Sequence, residues 1–410
     1  MSSSVITDLY SVTEHPTITA PRGFAADGIH CGIRHKHLDL GLIACDVPAN
    51  TAAVYTMNTF QAAPLKVTQS SLQVDGKLQA IIVNSGNANA CTGSQGEQDA
   101  RRMQLETAER LGIPPHRVGV ASTGLIGEPM PMDKISAGIQ KLQPQKDMAG
   151  SDGFCQAILT TDTCVKQVQV TVEIDGVEVH IAGAAKGSGM IKPNMATMLG
   201  FITTDAVIEQ PVLQNLVRTV TETTYNMIAV DGDTSTNDMV IAMASGLADH
   251  APLNEDHADW SAFVSAFHYV NEQLAKAIAR DGEGATRLIE VRVTGAENRK
   301  MAQQSAKAVI GSNLVKTAVF GADPNWGRII CAVGYSTIPV NPDNVDIAIG
   351  GIPVVRNSLP HDFDESKVAE AMQQDPVVIE VNLHQGQEKA TAWGCDLTYD
   401  YVRINSSYRT

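Results

Sequence analysis

The chain is poor in aromatic residues, in basic charge and in long apolar runs. Aromatic side chains make up 5% of its 410 residues, and 30 Lys and Arg residues face 45 Asp and Glu residues, a formal net charge of −15. This acidic balance disfavours nucleic acids and anionic membrane surfaces as partners. No run reaches the ~18 apolar residues that span a bilayer, and residues 1–20 hold no apolar signal-peptide core. We therefore expect a cytoplasmic protein without a nucleic-acid or membrane partner.

The sequence also lacks the usual spacings of metal and nucleotide sites. Its seven cysteines, an odd number without a CxxC pair, indicate thiols in a reducing compartment rather than disulfides. His35 and His37 have no second pair of ligands at zinc-finger spacing. The segment that begins at Asp231 lacks the Gly at position 6 and the Glu at position 12 of a calcium-binding EF-hand loop, and the segment 183–189 does not follow the P-loop order. We therefore expect no metal and no nucleotide cofactor.

The chain does contain enough apolar sequence for a large core. Hydrophobic residues make up 43% of it, and 410 residues favour two or three domains. Strands and helices that do not alternate strictly indicate an α+β fold. The predicted strands are Leu38–Val47, Ala52–Met57, Leu78–Val83, Val118–Ala121, Val165–Ile174, Val177–Ala182, Met198–Thr203, Arg287–Val293, Val377–Leu383 and Ala390–Leu397. The predicted helices are Gln95–Leu111, Pro131–Leu142, Gln210–Thr224, Trp260–Ala279 and Asn298–Val309.

The most informative segment is a glycine-rich loop near the middle of the chain. Residues 186–204 read KGSGMIKPNMATMLGFITT, so that a loop with one proline ends at Ala196 and an apolar strand follows Thr197. If the Ala196–Thr197 bond were cut, the hydroxyl and the free α-amine of Thr197 would lie on one residue, as a nucleophile and its base. An α-amine with a pKa of about 8 accepts a proton near neutral pH, whereas the amide of the uncut chain does not. Local composition alone favours an ordinary loop that leads into a strand.

A second segment fits acyl transfer. Thr123 and Gly124 follow a short predicted strand and offer a hydroxyl and a backbone N–H on a tight turn. Such donors stabilise the oxyanion of a tetrahedral intermediate. A strand-to-helix turn without catalytic function is the alternative interpretation, and it is the more common one for a Thr-Gly pair.

Six segments in order resemble the ornithine acetyltransferase (ArgJ) family of arginine biosynthesis. They are Asn84–Gly93, Ser122–Gly127, Lys186–Asp205, Ala229–Asp238, Gly321–Arg328 and Tyr401–Thr410. Six long blocks at compatible spacing are far more specific than one short motif. The resemblance implies a four-layer α-β-β-α sandwich of the self-cleaving, N-terminal-nucleophile type, with a smaller C-terminal domain. It also implies an α chain of residues 1–196 and a β chain of residues 197–410, in which the sandwich ends near residue 285 and the smaller domain follows.

The resemblance further implies a reaction and its residues. Thr197 would take the acetyl group from N-acetylornithine and pass it to glutamate, and Thr123 and Gly124 would form the oxyanion hole. Substrate contacts are implied for Thr160, Lys186, Thr197, Glu283, Asn405 and Thr410. Without the resemblance, Lys186 would be interpreted as a solvated lysine and Glu283 as a turn residue after a helix.

Three points stay open in the sequence. Some members of the family also accept acetyl-CoA as donor, and no residue pattern decides that second activity. The related self-cleaving amidases and aminopeptidases pass the acyl group to water, and an uncut binding protein of the same fold is the non-enzymatic alternative. The implied assembly is a heterotetramer of two α and two β chains, and no cofactor is implied apart from acetyl-CoA as a co-substrate of a bifunctional enzyme.

Overall fold

The computed structural model describes residues 9–192 and 198–407 of the chain. Three residues of the predicted site, Ala196, Thr197 and Thr410, therefore lie outside the described residues. The chain divides into two compact units. The first unit consists of Met1–Gly187, Asn194–Glu222 and Thr234–Leu274, and the second of Ser188–Pro193, Thr223–Asp233 and Ala275–Thr410. The predicted division into two chains and the smaller domain from about residue 286 stay predictions.

The elements are numbered along the chain. The strands are β1 (Tyr10–Val12), β2 (Phe24–Ile29), β3 (Leu40–Tyr55), β4 (Lys77–Asn87), β5 (Val118–Leu125), β6 (Lys166–Ile174), β7 (Val177–Lys186), β8 (Leu199–Thr204), β9 (Ile228–Ala229), β10 (Met239–Ala244), β11 (Leu288–Ala296), β12 (Asp346–Ile349), β13 (Ile352–Arg356), β14 (Leu359–Pro360), β15 (Val377–Asn382) and β16 (Glu388–Cys395). The helices are α1 (Ala63–Asp75), α2 (Gly93–Leu111), α3 (Met132–Ile139), α4 (Met148–Ala157), α5 (Gln210–Thr223), α6 (Trp260–Arg280), α7 (Arg299–Ile310), α8 (Asn313–Phe320), α9 (Trp326–Gly334), α10 (Glu365–Ala371) and α11 (Tyr399–Asn405). No helix in the described part of the chain is long and apolar enough to cross a membrane.

One long strand replaces two predicted ones. The predicted strands Leu38–Val47 and Ala52–Met57 form the single strand β3, so the predicted break between them was wrong. Pro48 lies where the neighbours of β3 change: β2 pairs with residues up to Cys45, and β10 pairs with residues from Asn50 onward. The missing N–H of this proline therefore costs no ladder hydrogen bond, and the register against β4 shifts at the same place.

The sheet of the first unit folds back on itself. Its strand order is β1-β6-β7-β8-β10-β3-β4-β5, with β2 also paired to β3. β7 and β5 are five positions apart, about 24 Å in a flat sheet at ~4.8 Å per strand. Yet the Lys186 Nζ on β7 lies 3.3 Å from the Thr123 Oγ1 on β5. The two halves of the sheet therefore face each other.

Apolar side chains fill the space between these halves and cover both outer faces. Ile81 on β4, Phe201 on β8 and Ile241 on β10 belong to one buried cluster. A second cluster joins the outer face of β3, β4 and β5 to helices α1, α2 and α3. On the opposite outer face, Gly183 of β7 lies against Leu274 of α6. The predicted α+β fold with α-β-β-α layers is confirmed.

The second unit contains its own sheet. Its strand order is β14-β13-β12-β15-β11-β16-β9, and α7 packs on β11 and β16. The predicted strands near residues 287, 377 and 390 and the predicted helix Asn298–Val309 are confirmed as β11, β15, β16 and α7. The last described helix, α11, follows β16 and begins after the cap residue Thr398, whose hydroxyl oxygen accepts a hydrogen bond from the Tyr401 N–H.

Candidate functional site

Thr123 and Gly124 lie at the carboxyl end of β5, beside the end of the parallel strand β4. Gly124 pairs with Gly86, and its φ of 135° is open only to glycine in practice. A Cβ atom on Gly124 would lie 2.2 Å from the carbonyl carbon of Gly86 and 2.4 Å from the nitrogen of Asn87. Glycine at residues 86 and 124 lets the ends of β4 and β5 approach this closely, and that approach sets the backbone conformation of the predicted oxyanion hole.

Asn237 fixes the peptide just before this pair, a role that the sequence did not reveal. Its Nδ2 donates to the carbonyl oxygens of Ser122, at 2.9 Å, and Ala88, at 2.5 Å. Asn237 is buried, and its own Oδ1 accepts a hydrogen bond from the Thr236 hydroxyl. A buried amide with these partners holds one orientation, so the backbone that leads into Thr123 is held in place.

Lys186 is buried next to Thr123, which rules out the solvated-lysine interpretation. It is 8% exposed, and its Nζ donates to the Thr123 Oγ1 at 3.3 Å. The ammonium group therefore lies beside the predicted oxyanion donor. A cation at this position would attract either a substrate carboxylate or a developing negative charge.

A buried carboxylate, Asp162, organises the surroundings of Lys186. Its Oδ1 accepts hydrogen bonds from the Lys166 Nζ at 2.8 Å and the Gly187 N–H at 2.7 Å, and its Oδ2 accepts one from the Thr160 N–H at 3.0 Å. Burial alone would raise the pKa of Asp162, but the ammonium groups of Lys186 and Lys166 outweigh it and hold the pKa well below its usual range. Asp162 is therefore ionised, and it compensates two buried lysines.

Thr160 is held through its main chain. Its N–H donates to Asp162, and its carbonyl oxygen accepts a hydrogen bond from the Arg34 Nη2 at 3.0 Å. The Arg34 Nη1 donates to the neighbouring carbonyl of Leu159 at 2.8 Å. The predicted contact residue thus belongs to the same group as Lys186 and Thr123, and Arg34 is a further member of that group.

In the second unit, two predicted contact residues bind each other. The Asn405 Nδ2 on α11 donates to the Glu283 Oε2 at 2.7 Å. Glu283 is 6% exposed, and its main-chain N–H donates to the Ser188 carbonyl at 3.1 Å. A Cβ atom on Gly189 would lie 2.4 Å from the Glu283 carboxyl carbon. The glycine-rich loop therefore passes directly over this carboxylate, and a side chain at residue 189 would displace the carboxylate from this position.

A further cluster of polar side chains is explained by local structure. Among the described residues, one group could hold a metal ion by proximity: Asp175, His257 and Asp259. The Asp175 carboxylate accepts hydrogen bonds from the Ala251 N–H and His257, and Asp259 accepts the Asp175 N–H, so the group joins a hairpin turn to the start of α6. The seven cysteines, all of which the structure describes, form no disulfide.

The chain is similar over nearly its whole length to a known protein family and to several of its members. The profile of the ArgJ family matches residues 25–410. The arginine biosynthesis bifunctional protein ArgJ of Geobacillus kaustophilus is 58% identical over 394 residues, which are 96% of each chain. The protein of that name from Oceanobacillus iheyensis is 57% identical over 400 residues, 98% of each chain. A crystal structure of such a protein from Bacillus halodurans is 54% identical and has a TM-score of 0.45, with 45% of this chain and 97% of that one covered. The chain belongs to the ArgJ family.

Proposed function

We propose that this protein is a glutamate N-acetyltransferase that moves the acetyl group of N-acetylornithine to glutamate, in the acetyl cycle of arginine biosynthesis. The single observation that carries the proposal is the group formed by Thr123, Gly124, Lys186 and Asp162. It supplies oxyanion donors and a fixed cation immediately before the loop that leads to Thr197. The high identity to proteins named as arginine biosynthesis proteins supports the same reaction.

The proposed first half-reaction forms an acetyl-enzyme. The Thr197 hydroxyl oxygen attacks the acetyl carbonyl carbon, and the α-amine of Thr197 accepts the hydroxyl proton. The Thr123 hydroxyl and the Gly124 N–H donate to the oxyanion of the tetrahedral intermediate. The carbon–nitrogen bond then breaks, the proton moves to the leaving amine, and ornithine departs from an acetyl ester on Thr197.

The second half-reaction reverses these steps with another amine. The amino group of glutamate attacks the ester, the Thr197 oxygen leaves and recovers its proton, and N-acetylglutamate is released. Lys186 suits the α-carboxylate that both substrates carry, because an ammonium group on a buried stem is a fixed positive charge. Glu283, with its Asn405 partner, suits the leaving amine of ornithine, and Thr160 and Thr410 complete the proposed contacts.

This chemistry requires a free Thr197 amine, so we propose that the chain cuts itself between Ala196 and Thr197. The two products would be the α and β chains, which we propose to assemble as a heterotetramer without a metal or a tightly bound cofactor. A second activity, in which acetyl-CoA donates the acetyl group to glutamate, is favoured by the word bifunctional in the names of relatives that are 55–58% identical.

Cleavage and transfer are tested on the same preparation. Intact mass spectrometry and N-terminal sequencing are expected to find a β chain that begins at Thr197. N-acetylornithine is then supplied with and without glutamate, and acetyl-CoA with glutamate. Ornithine release that depends on glutamate supports the transferase, whereas release at the same rate without glutamate would identify an amidase.

A matched pair of variants tests the nucleophile. Thr197→Ala lacks the hydroxyl and is expected to stay uncut and inactive, while Thr197→Ser keeps a hydroxyl and an α-amine and is expected to be cut. Active wild-type protein that remains a single uncut chain would refute the mechanism.

A further inference from the structure

Asp231 holds the glycine-rich loop by two consecutive backbone N–H groups. Its Oδ2 accepts a hydrogen bond from the Met190 N–H at 2.6 Å, and its Oδ1 accepts one from the Ile191 N–H at 2.9 Å. The neighbouring Val230 N–H donates to the Ile191 carbonyl at 2.6 Å. Hydrogen bonds to a carboxylate are among the stronger ones in proteins, so Asp231 holds the backbone of Met190 and Ile191 in place.

The anchored backbone has a conformation that it would not adopt unaided. Met190 has a φ of 58°, in the left-handed region that side-chain-bearing residues other than Asn and Asp rarely occupy. Such a conformation is strained and persists only where the surroundings impose it. The two hydrogen bonds from Met190 and Ile191 to one carboxylate are what impose it here.

Tyr401 on α11 lies beside the same carboxylate. Burial, together with the charge of Asp231 and a hydrogen bond to it, raises the pKa of Tyr401, so the hydroxyl stays protonated and donates to Asp231. Tyr401 and Asn405 are four residues apart and share a face of α11. One helix therefore supports both carboxylates that meet the loop: Asp231 through Tyr401, and Glu283 through Asn405.

We propose that Asp231 is a positioning residue for self-cleavage, because it sets the course of the backbone five residues before the Ala196–Thr197 bond. The inference rests on the proposed function, which requires that cut. It also gives a role to the acidic segment 231–238, whose sequence does not match an EF-hand loop: its first carboxylate, that of Asp231, binds backbone N–H groups. Misplacement of reacting groups by about 1 Å costs ~10²-fold in rate.

Two substitutions of Asp231 separate positioning from general stability. Asp231→Asn replaces one acceptor oxygen by an NH2 group and is expected to slow cleavage of the full-length precursor by ~10-fold. Asp231→Ala removes both acceptors, and a slowing of ~10²-fold is expected. Cleavage is followed on denaturing gels after a pulse of synthesis, and the unfolding midpoint of each variant is measured in parallel.

Asp396 offers a matched control in the same unit. Its Oδ1 accepts hydrogen bonds from two consecutive N–H groups, those of Thr286 at 2.8 Å and Arg287 at 3.1 Å, and it is 3% exposed. Asp396→Asn is therefore expected to lower the unfolding midpoint at least as much as Asp231→Asn while the precursor is cut at the wild-type rate. A cleavage rate that follows the unfolding midpoint across all three variants would refute positioning.

Tyr401→Phe tests the same role while the Asp231 carboxylate is left unchanged. This variant loses only the hydroxyl beside Asp231, and a smaller slowing of cleavage, ~3- to 10-fold, is expected from the loss of one hydrogen bond. Wild-type protein that never cuts would overturn the proposed function itself. Wild-type protein that cuts, beside Asp231→Ala that cuts equally fast, would overturn only the role of Asp231.

Discussion

Substitution of Gly124 by alanine tests whether the meeting of two strand ends builds the oxyanion hole. An added Cβ atom would lie 2.2 Å from the carbonyl carbon of Gly86, whereas ordinary contacts begin near 3.4 Å. The end of β5 must therefore move by ~1 Å, and a displacement of that size costs ~10²-fold in rate. Loss of one oxyanion donor costs ~10²–10³-fold. We expect kcat for acetyl transfer to fall by ~10²-fold or more.

Gly127→Ala is the matched control for backbone strain. Gly127 has a φ of 83°, but no atom lies within 4 Å of its added Cβ. Both variants place alanine at a positive φ, which is strained at either position, and only Gly124→Ala also collides with a neighbouring strand. Gly127→Ala is therefore expected to keep kcat within about threefold of the wild type, because exposed changes without new contacts have small effects.

The assay measures kcat and KM with N-acetylornithine and glutamate on protein that mass spectrometry shows to be fully cut. Circular dichroism and the urea midpoint report folding of each variant. Equal kcat values for Gly124→Ala and Gly127→Ala would show that the placement of this backbone is irrelevant to transfer, and the oxyanion assignment would have to be abandoned.

Three further predictions concern the charged groups. Lys186→Met is expected to raise KM for glutamate ~10- to 100-fold, because the substrate carboxylate would lose a hydrogen bond to a charged group. Its control, Lys166→Met, is expected to lower the unfolding midpoint without that change in KM. Folding lowers the pKa of Asp162, so ionised Asp162 contributes its full stabilisation above the unfolded pKa of ~3.9, and this stabilisation is lost as the pH falls toward the folded pKa. The free energy of unfolding is therefore expected to fall more steeply with pH below ~4 in the wild type than in Asp162→Asn. Glu283→Gln keeps an acceptor for Asn405 and is expected to raise KM for N-acetylornithine ~10-fold with the unfolding midpoint unchanged; an unchanged KM would remove Glu283 from the substrate contacts.

Features that depend on neighbouring residues in the chain could be predicted from the sequence. Asp175-Gly176 between two alternating runs predicts a hairpin, and β6 and β7 are joined at those residues, both of which have positive φ. Helix α4 was missed because of its two glycines, which lower helix propensity. In the structure these glycines allow close contact: a Cβ atom on Gly150 would lie 2.3 Å from the carbonyl oxygen of Ala26, and Gly153 lies against Gly28.

The partners of the site residues could not be predicted in the same way. Local chemistry and resemblance point to Thr123, Gly124 and Lys186, and the structure brings Thr123 and Lys186 together. Asn237 supports the same strand end from a position 115 residues away in the sequence. No local sequence pattern predicts a contact between residues so far apart, because the contact depends on how the sheet folds back and on which strands become neighbours.

The course of β3 has a consequence for how the first unit comes apart. Its first half pairs with β2 and β4, and its second half pairs with β10, so a single stretch of backbone belongs to both facing layers. Neither layer can separate from the other without breaking this strand, and the unit should therefore open as one cooperative block. In hydrogen exchange, the amides of Ile43 and Val54 would then share one free energy of opening, close to that of global unfolding.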